Sequence, residues 1–259
     1  LLFNKRYNRF ITDDILVIPG YILSIPTYLF IDNDYHTLSF GRYLLSFASK
    51  IIAPESTQIG KFDYKKIPFK GNKAIAHLTP KYFTPNKNIV NGVEEKYFFL
   101  RLAKLNAIHD DGENNGIIDE NLDRIIERLN DFGQILISAE RELPSQYEKY
   151  RLNINPKDVA HYINFASLVI TDSGTMATEA AILGVPNILL NNLAEKCGVH
   201  RELKTRFGLQ YYYDNFEDAY IKIVELLNEE DLKVRWESSK RIFLKHVDDL
   251  PELIYRTIK

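Results

Sequence analysis

The chain has 259 residues, 45% of them hydrophobic, which is enough to build one large or two small domains with a sizeable core. Lys and Arg total 33 against 35 for Asp and Glu, and this formal net charge of −2 gives no sign of a nucleic-acid-binding protein. The single cysteine, Cys197, excludes an intrachain disulfide framework and a cysteine zinc site, and it favours a reducing compartment. We therefore expect a cytoplasmic protein.

The apolar stretch 15–31 is interrupted by Pro19, Gly20 and Pro26, and no apolar run reaches the about 20 residues of a membrane-spanning helix. The stretch predicts core strands and turns, which excludes a transmembrane segment and leaves peripheral membrane contact open. The sequence begins with Leu-Leu and its only methionine is Met176, so we expect further N-terminal sequence to precede it.

Residues 1–92 show little regularity. Apolar runs predict strands at 24–30 and 51–54, and the spacing of apolar residues predicts a helix over 36–49. Clustered prolines mark a boundary near 85–95. We therefore divide the chain into an N-terminal domain, 1–92, and a C-terminal domain, 93–259, with a helical tail. The first piece is small for a doubly wound domain, so we expect it to be incomplete.

From residue 96 onward, strand and helix patterns alternate. Strands are predicted at 96–103, 134–138, 167–171 and 187–190. Helices are predicted from Leu122 to Leu129, after Asn155-Pro156, after Asp214 or Asn215, and over 231–258 with a break near Pro251. This alternation favours parallel β-α-β units, in which ligands bind beyond the carboxyl ends of the strands.

The segment 168–186 carries the clearest chemical signal. It predicts a buried strand, the polar turn Asp172-Ser173-Gly174-Thr175, a short helix and a Gly-x-Pro stop. A helix that begins in small residues and a hydroxyl offers free N–H groups and a positive dipole end, which suit a phosphate. Glu179 lies about one turn further along the same face, where its carboxylate can accept hydrogen bonds from ribose hydroxyls. The alternative is a capped helix start that binds no ligand.

Seven short segments, in chain order, carry a resemblance to a known family: 32–36, 53–55, 70–73, 97–101, 106–110, 137–140 and 172–181. Together they resemble the DUF354 group, a set of predicted glycosyltransferases of bacteria and archaea. That group is similar to the two-Rossmann GT-B glycosyltransferases and to UDP-N-acetylglucosamine 2-epimerases. The resemblance covers residues 25–215 and implies an α/β, GT-B-like fold with two Rossmann-like domains built on parallel sheets.

The resemblance also implies a nucleotide-sugar site, mainly on the C-terminal domain. Ser173, Gly174 and Thr175 would hold the pyrophosphate, and Glu179 would hold the ribose. The expected donor is a UDP-sugar, with no cofactor or metal beyond it, and the expected acceptor is a glycan or a lipid-linked glycan.

Further candidates lie at predicted strand ends. Arg101 is expected to contact a phosphate, with a salt bridge to Glu140 as the alternative. Ser138 and Glu140 are expected to line the donor site, unless they lie in a solvated loop. His77 and His200 have no partner pattern and are interpreted as structural or surface residues.

Two clusters are candidates for the catalytic base. His109 and Asp110 follow the first strand of the C-terminal domain, where a histidine beside carboxylates can accept a proton; they also suit a polar turn. Asp32 and His36 follow an apolar strand and are candidates for the acceptor-side base, although Asp-Asn-Asp is also good turn sequence.

The sequence therefore predicts a glycosyltransferase that uses a nucleotide-diphosphate sugar, in surface polysaccharide or glycoconjugate synthesis. A sugar-nucleotide epimerase or hydrolase would use the same donor site, with acids and bases acting on the sugar itself. A non-catalytic nucleotide-sugar-binding module is the third hypothesis.

Overall fold

The structure is a computed structural model that describes residues 7–104 and 116–259. The chain folds into two compact units. The first contains the residues up to Ile75, the short segment Lys196–Val199 and the C-terminal His246–Lys259, and the second contains Ala76–Glu195 and His200–Lys245. The candidate residues His109 and Asp110 lie outside the described residues.

The described strands are β1 (Phe10–Thr12), β2 (Thr27–Phe30), β3 (Lys50–Pro54), β4 (Lys66–Phe69), β5 (Tyr97–Leu102), β6 (Gln134–Ala139), β7 (Leu168–Thr171), β8 (Asn187–Leu190) and β9 (Tyr211–Tyr213). The described helices are α1 (Val17–Ile22), α2 (Leu44–Phe47), α3 (Ile75–Leu78), α4 (Asp119–Asn130), α5 (Val159–Phe165), α6 (Gly174–Leu183), α7 (Gly198–Thr205), α8 (Phe216–Leu227), α9 (Leu232–His246) and α10 (Leu250–Ile258).

The first unit is built on a four-stranded parallel sheet in the order β1-β2-β3-β4. Its core combines Val17 of α1 and Leu45 of α2 with apolar side chains of β2 and β3 such as Leu29 and Ile51. The C-terminal segment packs on the end of β4, where the Lys70 amide donates to Asp248 Oδ2 at 2.7 Å.

The second unit is built on a five-stranded parallel sheet in the order β6-β5-β7-β8-β9. Every residue of β7 and β8 is buried, as expected for parallel strands covered on both faces. Ile188 and Leu190 of β8 join the core beneath α4 and α8, whereas Leu189 between them packs with Ala177 of α6. This alternation places α6 on the opposite face of the sheet from α4 and α8.

The two parallel sheets confirm the predicted α/β class, and the strands predicted from residue 96 onward are all present. The helix predicted over 36–49 is wrong in extent, because Thr37 and Leu38 donate to the Asp34 carbonyl in a turn and only 44–47 are α-helical. The sequence predicts only strands and turns over 15–31, but this stretch also contains the helix α1. Gly20 permits this helix, because a Cβ there would lie 2.1 Å from Thr27 Oγ1.

Residues 76–92, which lie before the predicted boundary after residue 92, belong to the second compact unit. The segment just before that boundary packs on α5 of the second unit: the Tyr162 hydroxyl donates to the Ile89 carbonyl at 3.1 Å, and His161 Nδ1 accepts from the Asn86 amide at 3.1 Å. Among the helices within residues 7–104 and 116–259, none combines the length and the hydrophobicity of a membrane-spanning segment.

Candidate functional site

The carboxyl edge of the second sheet brings together three polar residues of neighbouring strands. Arg101 of β5 is in register with Ser138 of β6 on one side and with Thr171 of β7 on the other. The Thr171 hydroxyl donates to the Arg101 carbonyl at 2.9 Å and accepts from the Ser173 amide at 2.9 Å. These two hydrogen bonds connect the end of β5 with the turn that begins α6.

The turn from β7 into α6 has the geometry that the sequence predicts. Ser173 is the N-cap in an extended conformation, and its side chain accepts from the Met176 amide at 3.5 Å. The helix ends at Gly184 in the left-handed conformation. Its first turn consists of uncharged residues, with Gly174 half-buried and Thr175 exposed. The start of α6 therefore presents main-chain N–H groups and a positive dipole end without a competing charge.

His200 lies against the first residue of this helix. The residue is 8% exposed, and its Nδ1 lies 2.8 Å from Gln210 Oε1. A Cβ placed on Gly174 would lie 2.9 Å from His200 Nε2, so the close approach of the ring requires glycine at position 174. The sequence alone did not place His200 beside Gly174, because the contact between α7 and α6 arises only from tertiary packing.

Arg101 makes the salt bridge that the sequence offered as the alternative to phosphate binding. Its guanidinium donates to Ser138 Oγ at 2.7 Å and to Glu140 Oε1, and Glu140 Oε2 accepts from the Lys104 amide at 3.2 Å. About a fifth of the arginine side chain remains exposed, at 19%. Arg101, Ser138 and Glu140 therefore form one cluster at this edge, and the guanidinium that would meet a phosphate is already held by a carboxylate.

Asp172, between Thr171 and the N-cap, is buried. Its Oδ1 accepts from the Ala103 amide at 2.6 Å. Burial raises the pKa of this carboxyl above its ordinary value of 3.8, although the Ala103 amide and the Arg141 guanidinium oppose the shift. Asn191 Nδ2 donates to the Asp172 carbonyl at 3.2 Å, which links the ends of β7 and β8.

Glu179 has the position that the sequence predicts, one turn beyond Thr175 on α6, and its side chain is 14% exposed. The structure adds a neighbour, because His77 Nε2 lies 3.7 Å from Glu179 Oε1. The sequence treated His77 as a structural or surface residue. Nothing local could pair it with a residue about a hundred positions later.

In the first unit, the carboxyl edge of the sheet carries a charged cluster. Asp32 follows β2, and its Oδ1 lies 3.6 Å from Lys73 Nζ, which is also 3.8 Å from Asp13 Oδ2 after β1. His36 is exposed, with Nε2 3.1 Å from the Lys196 carbonyl. The sequence singled out Asp32 and His36 but missed Lys73, whose only signal was its place in a family-like segment.

The other carboxylate of this turn, Asp34, is fully buried and structural. Its Oδ1 accepts from the Gln58 amide at 2.9 Å and its Oδ2 from the Gly198 amide at 2.7 Å. The Asp-Asn-Asp segment therefore forms a turn, which was the alternative to a catalytic role. It also leaves one carboxylate, that of Asp32, accessible. In the described part of the chain, no group of three or more His, Cys, Asp or Glu side chains is placed to hold a metal ion.

Comparison with known proteins agrees with this architecture. The model of a family described as a protein of unknown function, DUF354, matches residues 15–258. No curated protein matches the chain. A co-structure of MnaA from S. aureus with UDP has a TM-score of 0.63 at 14% identity, over 93% of this chain and 72% of that chain.

Two further solved structures represent different activities. The UDP-GlcNAc 2-epimerase of Methanocaldococcus jannaschii, in complex with UDP-GlcNAc and UDP, has a TM-score of 0.59 at 19% identity, over 98% of this chain and 77% of that chain. The spinosyn rhamnosyltransferase SpnG has a TM-score of 0.60 at 13% identity, over 96% of this chain and 72% of that chain. At these identities the likeness concerns the fold, which is GT-B-like as the sequence predicts.

Proposed function

We propose that this chain, which belongs to the DUF354 family, is a glycosyltransferase that uses a nucleotide-diphosphate sugar, with a UDP-sugar as the donor. The observation that carries the proposal is the start of α6 at the carboxyl end of β7, with Glu179 one turn further along. Proteins of similar fold include a glycosyltransferase and an epimerase in complex with UDP-GlcNAc and UDP.

In the proposed mechanism, the first turn of α6 holds the pyrophosphate. Departure of a nucleoside diphosphate develops negative charge on its phosphate oxygens. In this proposal the hydroxyls of Ser173 and Thr175 and the main-chain N–H groups of the first helical turn bind that charge, and a helix that is already formed needs little reorganisation during the reaction. The Glu179 carboxylate accepts hydrogen bonds from the ribose.

Arg101 supplies a full positive charge near the same edge. Its salt bridge with Glu140 partly neutralises that charge in the free protein, and the hydrogen bond that it donates to Ser138 Oγ helps to orient the guanidinium. Charge-assisted contacts of arginine with phosphate are stronger than neutral hydrogen bonds. With this charge and the helix dipole, the proposal requires no metal cofactor.

The proposed base that removes the proton from the acceptor hydroxyl is Asp32 or His36 of the first unit. Asp32 is one-third exposed and its Oδ1 lies 3.6 Å from Lys73 Nζ, so the carboxylate is accessible to an acceptor. His109 and Asp110 remain candidates outside the described residues. The acceptor in this proposal is a glycan or lipid-linked glycan of surface polysaccharide synthesis, and the reaction takes place in the cytoplasm.

A sugar-nucleotide epimerase or hydrolase is the second candidate, because the structures of similar fold include UDP-GlcNAc 2-epimerases. The two carboxylates beside Lys73 would then act on the sugar itself. Incubation with UDP-N-acetylglucosamine in the absence of an acceptor separates the reactions. Rapid formation of an epimer or of free sugar supports the second candidate and contradicts the transferase.

Thermal unfolding in the presence of UDP-, GDP-, CMP- and dTDP-sugars tests the donor site directly, because a ligand that binds only the folded protein raises its stability. We expect a selective rise with a UDP-sugar and its loss in Glu179→Ala. Binding with no turnover of any donor or acceptor would favour the non-catalytic module. A flat response to all four classes contradicts the proposed site.

A further inference from the structure

Glu179 and His77 form a pair of unequal exposure on the second unit. The glutamate side chain on α6 is 14% exposed, whereas the imidazole on α3 is 59% exposed. The carboxylate is therefore largely enclosed, whereas the ring beside it is open to a ligand. Both side chains belong to the same compact unit as the start of α6.

The distance between the two groups suits a third polar atom. Oε1 of Glu179 and Nε2 of His77 are 3.7 Å apart, which is longer than a direct hydrogen bond. An oxygen about 2.8 Å from each of them fits the triangle that they define. A carboxylate only accepts hydrogen bonds and an imidazole N–H donates, so the complementary group is one that does both, which is a hydroxyl.

The position of Glu179 along α6 indicates which hydroxyl this is. Glu179 follows Thr175 by four residues, so it lies on the same helix face as the first turn and about one turn further along. A diphosphate at the first turn places the ribose of a nucleotide next along that face.

We propose that His77 and Glu179 together bind one ribose hydroxyl of a nucleoside diphosphate, and that His77 is a specificity residue for ribonucleotides over deoxyribonucleotides. This inference rests on the proposed nucleotide site at the start of α6. Glu179 accepts the hydroxyl proton, and the Nε2–H group of His77 donates to the hydroxyl oxygen. A deoxynucleotide leaves both groups without that partner.

Calorimetric titration of the full chain with UDP, 2′-deoxy-UDP and 3′-deoxy-UDP tests the inference. We expect one deoxy analogue to bind the wild type roughly 10- to 100-fold more weakly than UDP, as for loss of a hydrogen bond to a charged group. His77→Ala should bring this ratio close to one, and Glu179→Ala should do the same. His77→Gln, which retains a side-chain N–H donor, should restore part of the preference.

His161→Ala is the matched control, because its ring contacts Phe83 and the Asn86 amide instead of Glu179. The affinity ratio should stay at the wild-type value in this variant even if its stability falls. A ratio in His77→Ala equal to that of the wild type overturns the inference and leaves the nucleotide site intact. Wild-type protein that does not bind UDP overturns the proposed site together with the inference.

Discussion

Asp34 Oδ2 accepts a hydrogen bond of 2.7 Å from the Gly198 amide, 164 residues later in the chain. The aspartate is fully buried, and its Oδ1 accepts a second amide, that of Gln58. Gly198 is the residue type that this contact requires, because a Cβ there would lie 1.9 Å from the Ser56 carbonyl oxygen. One carboxylate therefore fixes two distant backbone segments of the first unit.

Replacement of Asp34 by alanine should lower the free energy of unfolding by about 3 kcal/mol, because two main-chain amides lose the carboxylate that accepts from them. Asp34→Asn should have a smaller effect, since one amide oxygen remains as an acceptor. Urea unfolding measures both values. Asp63→Ala, at an exposed position of the same unit, should stay within about 0.5 kcal/mol of the wild type. Equal effects at both positions would contradict the role of Asp34.

Two helices of the second unit, α6 and α8, have side-chain N-caps. Removing each cap in turn distinguishes the effect of a cap on stability from an effect on UDP binding. Ser173 caps α6 through the Met176 amide, and Asn215 caps α8 through the Asp218 amide. Alanine at either position should lower the free energy of unfolding by about 1 kcal/mol. Only Ser173→Ala should also weaken UDP binding, measured by calorimetry. Equal UDP affinities of the two variants would argue against a phosphate site on α6.

Arg101 should contribute to binding of the phosphates and not of the nucleoside. Arg101→Ala should weaken UDP binding about 10-fold, because a charge-assisted contact is lost, and should leave uridine binding unchanged. Arg124→Ala is the matched control, since Arg124 forms an exposed salt bridge with Glu217 on α4 and α8. An equal loss of uridine affinity in Arg101→Ala would show that the substitution disturbs the site as a whole.

The raised pKa of Asp172 predicts how the effect of Asp172→Asn on the free energy of unfolding changes with pH. Between 3.8 and the raised pKa, the folded protein binds more protons at this carboxyl than the unfolded chain does. Its contribution to the free energy of unfolding therefore falls as pH rises through that window and stays low above it. Asp172→Asn keeps an oxygen acceptor for the Ala103 amide and does not ionise.

The stability of Asp172→Asn relative to the wild type should consequently increase from pH 4 upward. Urea unfolding at several pH values measures the difference. A difference that stays constant, or that decreases with pH, would contradict the assignment of the raised pKa to Asp172.

Asp32 and Asp13 provide a matched pair for the proposed base. Both carboxylates lie beside Lys73, but Asp13 is twice as exposed, at 67% against 32%. Asp32→Asn should lower turnover by about 100-fold or more without changing UDP affinity. Asp13→Asn should retain most of the activity. If Asp32→Asn remains active and His36→Ala does not, the base is His36.

The local elements of the second unit were predictable because their signals are local. The apolar runs of β5 to β8, the cap at Ser173, the cap at Asn215 and the glycine stop at Gly184 all depend on residues within a few positions of one another. For the same reason the sequence alone determined the candidate phosphate turn and the position of Glu179 one turn beyond it. The first unit was less predictable, since α1 depends on the packing of Gly20 against the side chain of Thr27 on β2.

Tertiary structure alone decided which side chains meet. His77 with Glu179, Lys73 with Asp32, and His200 with Gly174 are each far apart in sequence, and no spacing rule connects them. It also determined the partners of Arg101 in the free protein, because the register of β5 with β6 places Ser138 and Glu140 within its reach. Local propensity follows from neighbouring residues, whereas a site assembled from several strands and helices depends on how those elements pack.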